Sequence, residues 1–352
     1  MKALLITGSN GWLGKAALKE VLESKLIEEL NVIMMVNLCE TISDNIDKEI
    51  EKSCLKNETK LINLYGNLSN KKIFKDIDSN LKSFFISDLK VIAIASIIHP
   101  QDYRDFNRVN IKGLKQLFEL CAKHNLSKFT YISSNSPFGF NCQKKAFNES
   151  SFYSPKGGYG KSKMEAEKFL LSQKENYKIT IIRAPWFHGE NMPERQKKFL
   201  KSASHGKFPL IGFGNNIRSI VDVGDLAKAI MNVTFKKRNH QIYWVSSEKI
   251  KMKEMISIIK KAAEEKGFIK KRSKFNIVLP IGFSSVLFLL DMFLQKLKIY
   301  NMYVHVLSEI GQDIFNTNER YKKEFGEYHT FKKIKDTIYE ELEEANFKNK
   351  LI

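Results

Sequence analysis

The 352-residue sequence has only four cysteines, Cys39, Cys54, Cys121 and Cys142. They form no Cys-x-x-Cys pair and no zinc-ligand spacing, and a chain of this length needs no disulfide staples, so a reducing cytoplasm is the expected location. Long apolar runs are missing too. The longest, Ile277 to Leu290, is 14 residues, against about 20 for a bilayer span, which leaves no transmembrane helix to expect. Met1 to Ile6 carries one Lys and no Ala-x-Ala site, so it does not read as a secretory leader. The absence of heptads, Gly-X-Y triplets and 20-to-50-residue repeats excludes coiled-coil, collagen and solenoid architectures. Arginine is scarce. Nearly all of the 58 basic residues are Lys, and no Arg cluster or base-stacking aromatic pattern occurs, so the net charge of +19 reads as composition bias and no nucleic-acid partner is expected. His99 and His188 have no His-x-x-x-His or carboxylate cluster with them, so no metal is expected.

What is present is a globular pattern, with 43% hydrophobic and 28% charged residues over roughly two domain lengths. The first half alternates apolar strands with helical stretches. Strands read at Lys2–Thr7, Val32–Val36, Leu61–Tyr65, Val91–Ser96, Lys128–Ser133 and Lys178–Ile182, and helices at Trp12–Glu23, Tyr103–His124 and Tyr159–Ser172. Such alternation predicts an α/β fold with a doubly wound parallel sheet and ligands at the carboxyl ends of its strands. After about Arg183, Pro185, Pro193 and Pro209 and the glycines at 189, 206, 212 and 214 mark looser structure suited to binding a substrate. Helices return at Asp225–Phe235, Lys253–Lys266, Pro280–Lys298 and Phe331–Ala345, with a strand at Gln241–Val245. The expected division is a doubly wound sheet domain over 1–183, with 219–245 returning to it, and a smaller, mostly helical substrate-binding part over 184–218 and 246–352.

Two motifs carry chemistry. Thr7-Gly8-Ser9-Asn10-Gly11-Trp12-Leu13-Gly14 lies between the first strand and the first helix, where a glycine turn brings backbone amides against a pyrophosphate at a helix N-terminus. In Tyr159-Gly160-Lys161-Ser162-Lys163, the four-residue spacing sets Tyr and Lys on one helix face, and a cation beside a phenol is what lets it exchange protons near neutrality. Ser133-Ser134 ends a strand upstream.

With Ala95-Ser96, Val109-Asn110, Tyr131-Ile132-Ser133-Ser134, the segment Arg183 to Gly189 and Arg218-Ser219-Ile220-Val221-Asp222-Val223-Gly224-Asp225-Leu226-Ala227, the sequence resembles the extended short-chain dehydrogenases/reductases. These include nucleotide-sugar epimerases and dehydratases and the 3β-hydroxysteroid dehydrogenases. The resemblance implies a Rossmann fold with Tyr159 as acid/base, Lys163 as its partner and ribose anchor, and Ser134 as the hydroxyl that polarises the reacting oxygen. It places Gly8, Asn10, Gly11, Trp12, Leu13, Asn37, Asn67, Leu68, Ala95, Ser96, Asn110, Tyr159, Lys163 and Pro185 against the cofactor, and Trp186 and Arg218 against the substrate. Asn110 serves either to order the Tyr-Lys pair or as an ordinary helix-to-strand bond. Arg218 either binds a diphosphate or pairs with Asp222.

The departures from the family pattern narrow the expectations. Val36-Asn37 carries neither the acid that reads the NAD ribose nor a base for the NADP phosphate, so NAD or NADP is expected with NAD slightly preferred. Asn67 replaces an Asp at the adenine. Ser134-Asn135-Ser136-Pro137 lacks the Asp-Glu pair of 4,6-dehydratases, which disfavours water elimination. Trp186 stands where many sugar-nucleotide enzymes have Asn.

The leading expectation is an NAD(P)-dependent oxidoreductase or epimerase acting on a hydroxyl or keto group of a nucleotide-linked sugar. The alternative is a dehydrogenase of apolar alcohols, of 3β-hydroxysteroid type. A catalytically silent dinucleotide binder is the third reading, and retention of Ser134, Tyr159 and Lys163 argues against it. The partners expected are a small-molecule substrate and a second copy in a homodimer. A last reading concerns residues 231–294. Met231 to Phe275 holds 13 Lys and Arg against 4 Asp and Glu, followed directly by the apolar Ile277–Leu294. This pattern suits either peripheral attachment to anionic lipid or a helix packed within the C-terminal part, and Asp291 inside the run favours the second.

Overall fold

The computed structural model describes residues 1–38, 45–141, 145–236, 241–269, 276–326 and 329–347. Cys39, Cys142 and parts of the basic segment, 237–240 and 270–275, lie outside the described residues. In chain order the elements are β1 (Lys2–Thr7), α1 (Trp12–Glu23), β2 (Val32–Asn37), α2 (Asn45–Lys56), β3 (Lys60–Tyr65), α3 (Lys71–Ser83), β4 (Asp88–Ala93), α4 (Leu114–Cys121), β5 (Leu126–Ser134), α5 (Gly158–Ser172), β6 (Ile179–Ala184), β7 (Trp186–His188), α6 (Glu194–Ser204), β8 (Leu210–Ile211), β9 (Ile217–Asp222), α7 (Val223–Phe235), β10 (Ile242–Trp244), β11 (Glu248–Lys251), α8 (Met252–Glu265), β12 (Val278–Leu279), α9 (Ile281–Lys296), α10 (Met302–Ile310), α11 (Glu319–Phe325) and α12 (Ile334–Phe347).

The chain divides into two compact units. The first comprises Met1–Pro137, Pro155–Arg183 and Ala227–Tyr243. Its seven-stranded sheet has the order β10-β6-β5-β4-β1-β2-β3, and the pairings of β1 with β2 and β4, β2 with β3, and β4 with β5 are all parallel. β2 is buried at every residue and β1 at every residue after Lys2, the continuous apolar reading of strands covered on both faces. β3 sits at the edge and keeps Lys60, Asn63 and Tyr65 exposed, which blunts that edge against further pairing. One core binds β1, β2, β4, β5 and β6 to α3, α4 and α5 through residues such as Leu5, Met34, Ile77, Val91, Leu117, Phe129, Leu170 and Ile181. Cys54 and Cys121 are buried free thiols.

The helix expected over 103–124 is broken into two geometries. Phe106–Gly113 is a π-helix that continues directly into α4. Its wider turn buries Phe106, Val109, Asn110 and Gly113, and such turns mark places where a helix re-aims a side chain.

The second unit comprises Phe138–Ser154, Ala184–Leu226 and Trp244–Ile352. Residues 138–154 and 219–226 therefore lie in this unit, and the return to the first begins at 227 instead of 219. β11, β9 and β7 form a three-stranded sheet, with β9 antiparallel to β11 and parallel to β7. β12 and β8 pair in parallel. Helices α6, α8 and α9 to α12 make up most of the remainder.

Candidate active site

In the first unit, β1 ends in a turn that has to be glycine. Gly8 sits at φ +74°, a left-handed conformation open to glycine at no steric cost. A Cβ at Gly14 would fall 2.1 Å from the Gly8 carbonyl oxygen and 2.6 Å from Ser9 Cα, so only a hydrogen lets α1 pack this close to the turn. The residue before α1, Gly11, supplies no side-chain cap, and the first turn of α1 holds no acid. Its positive dipole end faces the turn and favours an anion there.

Asn37 at the end of β2 is buried and turned onto this loop. Its Oδ1 accepts from Ser9 Oγ at 2.9 Å and from the Asn10 amide at 2.8 Å. Asn37, expected against the cofactor, braces the glycine turn here with its carbonyl oxygen already occupied. Asn67 is likewise engaged, its Oδ1 accepting from the Ser69 amide at 2.8 Å, while Leu68 is buried. After β4, the Ala95 amide bonds the Thr7 carbonyl at 3.1 Å, and Ser96 Oγ is buried without a hydrogen-bond partner among the described residues. A glycine cradle at a helix N-terminus without a side-chain cap or an acid, with a hydroxyl on the neighbouring strand end that has no partner among the described residues, fits a dinucleotide.

Ser134, Tyr159 and Lys163 belong to the same unit. α5 starts at Gly158, so Tyr159 stands in its first turn. Two glycines make room for it. A Cβ at Gly158 would meet the Phe106 ring at 2.6 Å, and one at Gly160 would meet the Ser136 carbonyl oxygen at 2.5 Å. The second contact sets the start of α5 against the turn after β5, where Ser134 Oγ lies 3.2 Å from Ser136 Oγ, donates to Asn135 Oδ1 at 3.2 Å and accepts from the Ser136 amide.

Lys163 is 2% exposed and donates from Nζ to the Ile132 carbonyl at 2.7 Å. The ammonium lies 4.7 Å from the Tyr131 ring centre and 5.8 Å from that of Tyr159. Burial pushes its pKa from the usual 10.5 down to about 7, against the opposing pull of the Glu167 carboxylate. Asn110 bonds both the segment after β4 and α5. It exchanges hydrogen bonds with Ile97 at 2.8 and 2.9 Å and donates to Ser162 Oγ at 3.0 Å, and that hydroxyl donates to the Tyr159 carbonyl at 2.7 Å. The π-helix thereby ties the strand β4 loop to the first turn of α5.

Sequence reasoning missed the layer beneath. Glu167 is wholly buried, one turn beyond Lys163. It is paired with Arg183 (Nη2 to Oε2 2.8 Å, Nε to Oε2 3.1 Å) and accepts from Ser133 Oγ. The signal was legible as Tyr159, Lys163 and Glu167 recurring every fourth residue on one helix face. It also explains the serine pair: Ser133 faces the buried carboxylate, while Ser134 is left at the strand end. The Tyr131 hydroxyl is buried without a partner among the described residues, and burial lifts its pKa well above the usual phenol range.

In the second unit Arg218 on β9 is not paired with Asp222. Asp222 caps α7, its Oδ1 accepting from the Gly224 and Asp225 amides at 3.0 and 3.1 Å. The Arg218 guanidinium makes one bond, Nη2 to the Glu309 carbonyl at 2.6 Å, and its buried Nε has no partner among the described residues. Trp186 on β7 is half-buried, donates from its indole to Gln196 at 3.3 Å and meets the Phe199 ring at 4.9 Å. Pro185 before it is buried. His188 closes β7 with Nδ1 2.8 Å from Glu341; burial pulls its pKa down, and the Glu341 hydrogen bond and charge outweigh this and raise it. No group of three or more potential metal ligands occurs among the described residues.

Residues 4–245 match the model of the NAD dependent epimerase/dehydratase family. The chain is 36% identical over 231 residues to an uncharacterized protein of Sinorhizobium fredii, covering 64% of each. It is 26% identical over 183 residues to the N-acetyl-α-D-glucosaminyl-diphospho-ditrans,octacis-undecaprenol 4-epimerase of Escherichia coli O157:H7, covering 49% of this chain and 52% of the relative. The matched stretches thus span about half to two thirds of these relatives' length. Among solved structures, the dTDP-glucose 4,6-dehydratase of Bacillus anthracis in complex with NAD superposes with a TM-score of 0.71 at 18% identity over 99% of this chain and 98% of the other.

Proposed function

The chain belongs to the NAD dependent epimerase/dehydratase family, and from that premise we propose that it is an NAD-dependent epimerase or oxidoreductase acting on a hydroxyl or keto carbon of a sugar linked to a diphosphate. The observation that carries the reading is Lys163, buried between the Ile132 carbonyl and the Tyr159 ring beside the Ser134 turn. A bound nicotinamide would supply the hydride chemistry, taking hydride from the substrate carbon and giving it back to it.

The side chains handle the proton. Tyr159 takes the hydroxyl proton as the carbon is oxidised and returns it on reduction, and Ser134 donates a hydrogen bond to the same oxygen and holds it in line. Lys163, with its pKa of about 7 and its Nζ 5.8 Å from the Tyr159 ring centre, supplies positive charge on that side of the phenol as it loses its proton. The Gly8–Gly14 turn holds the pyrophosphate, and Asn37 fixes that turn from behind.

Elimination of water needs a carboxylic acid and a base next to the polarising hydroxyl. Ser134 is followed here by Asn135 and Ser136, neither of which titrates, so epimerase or dehydrogenase chemistry is favoured over dehydration. Arg218 supports the diphosphate. A half-buried guanidinium whose Nη2 bonds a backbone carbonyl, and whose buried Nε has no partner among the described residues, suits phosphate oxygens. The same diphosphate is shared by nucleotide-linked sugars and by the polyprenol-linked sugar named for the E. coli relative. The apolar-alcohol alternative rests on Trp186, whose indole is taken up by Gln196 and Phe199, and on the apolar helix after Pro280.

The test is calorimetric titration of the NAD-loaded protein with UDP, dTDP and GDP. Arg218→Ala should weaken the preferred diphosphate at least about tenfold, the value of one lost charge-assisted contact, with NADH affinity unchanged. Equal diphosphate affinity in wild type and variant would refute the assignment.

A further inference from the structure

α9 turns its polar residues inward and its apolar ones outward. Only Ser284, Asp291 and Gln295 of its 16 residues are buried. The Asp291 carboxylate, 2% exposed, accepts from Gln295 at 2.8 Å and lies 2.9 Å from His305 Nδ1 on α10. These bonds fix the rotation of the helix about its axis. The expectation that Asp291 would turn the apolar side toward the protein is reversed: Asp291 itself faces the protein, and the hydrocarbon points away. Val286, Leu289, Leu290 and Phe293 are exposed, Leu289 at 66%. Leu297 beyond α9 and Tyr303 on α10, at 73%, extend the patch. Scattered exposed leucines need no explanation, whereas a contiguous face of this kind does.

The exposed charge along α9 has one sign, and the one acid of α10, Glu309, lies 3.8 Å from His305. From Ile277 to Val306 the only acid is the buried Asp291, and the lysines, Lys296 and Lys298, are both exposed. Two-fold pairing with a second copy would set these lysines in one self-complementary patch without an acid to meet them, and protein interfaces are depleted in Lys. A surface of lipid phosphates meets both the apolar side chains and the ammonium groups. At 16 residues α9 is roughly 24 Å long, short of the ~30 Å hydrocarbon core. Among the described residues no helix is long and apolar enough to cross a membrane, so α9 would lie along a bilayer and not through it.

We propose that the α9–α10 face of the second unit rests on an anionic lipid bilayer, with α9 in the plane of the interface, its apolar side chains at the acyl boundary and Lys296 and Lys298 at the phosphates. The inference stands on this face alone and is independent of which sugar the enzyme takes.

Full-length protein is floated with phosphatidylcholine vesicles and with phosphatidylcholine–phosphatidylglycerol vesicles, at low and high salt. Wild type should rise with the anionic vesicles and bind them less at high salt. Leu289→Glu with Phe293→Glu should lower the bound fraction at least about tenfold, and Lys296→Glu with Lys298→Glu should lower it at low salt. Circular dichroism and NADH binding matching wild type show that the variants are folded, since all four positions are exposed. Failure of wild type to rise at low salt would overturn the proposal, as would equal flotation of the Leu289→Glu, Phe293→Glu variant. A wild-type dimer that the Leu289→Glu, Phe293→Glu change splits, with no lipid binding by either protein, would assign the face to a second copy instead.

Discussion

Lys163→Met removes the buried ammonium while keeping a linear side chain of similar length. In the folded chain burial pulls the Lys163 pKa from 10.5 to about 7, whereas the unfolded chain keeps the ordinary value. Between these two pH values the unfolded state binds one proton more than the folded state, so wild-type stability rises with pH, by about 1.4 kcal/mol per unit. The contribution is lost as pH falls through about 7, where the lysine must be charged in place. The methionine variant has no such proton. The difference in unfolding free energy, wild type minus variant, should therefore grow by roughly 2–3 kcal/mol between about pH 7 and pH 9, in the direction of wild type. Other titrating groups are common to both proteins and cancel. Equilibrium urea unfolding of cofactor-stripped protein, followed by circular dichroism at several pH values, measures the difference. Parallel stability curves would mean that Lys163 stays protonated in both states, and the account of a lysine poised near neutrality beside Tyr159 would fall.

Tyr159→Phe keeps the ring against Phe106, 6.5 Å between centres, and removes only the hydroxyl; kcat should drop about 10²–10⁴-fold with NADH affinity nearly unchanged, and activity above a few per cent of wild type would require another acid/base. Gly14→Ala places a methyl 2.1 Å from a backbone oxygen that cannot retreat, so NADH binding measured by fluorescence should be lost or fall at least about tenfold, alongside a lowered melting temperature of a few degrees. Fluorescence titration should also find NADH bound somewhat more tightly than NADPH, since no cation is offered by Val36 or Asn37; a tenfold preference for NADPH would contradict the reading.

Two kinds of information separate at particular residues. The parallel sheet was legible because strands such as Val32–Asn37 are buried on both faces and must be apolar throughout. The glycine turn and the Tyr-Lys helix were legible because their constraints are local: a positive φ at Gly8, a helix packed within one hydrogen of a backbone oxygen at Gly14, and a four-residue spacing between Tyr159 and Lys163. The π-helical widening at Phe106–Gly113 was not, because it depends on where Asn110 finds Ile97 and Ser162 across the fold. Nor was the partner of Glu167, since Arg183 comes from the neighbouring strand β6 and no periodicity along the chain announces it.

The sequence by itself therefore determined the sheet, the glycine turn and the shared helix face of Tyr159 and Lys163, all set by covalent neighbours and burial on a single element. Only the tertiary structure decided orientation. It turned Asn37 onto the glycine loop, separated Arg218 from Asp222 because Asp222 caps α7 instead, and rotated α9 so that Asp291 meets His305. A side chain's direction follows from which partner satisfies its hydrogen bonds, and those partners are many residues away.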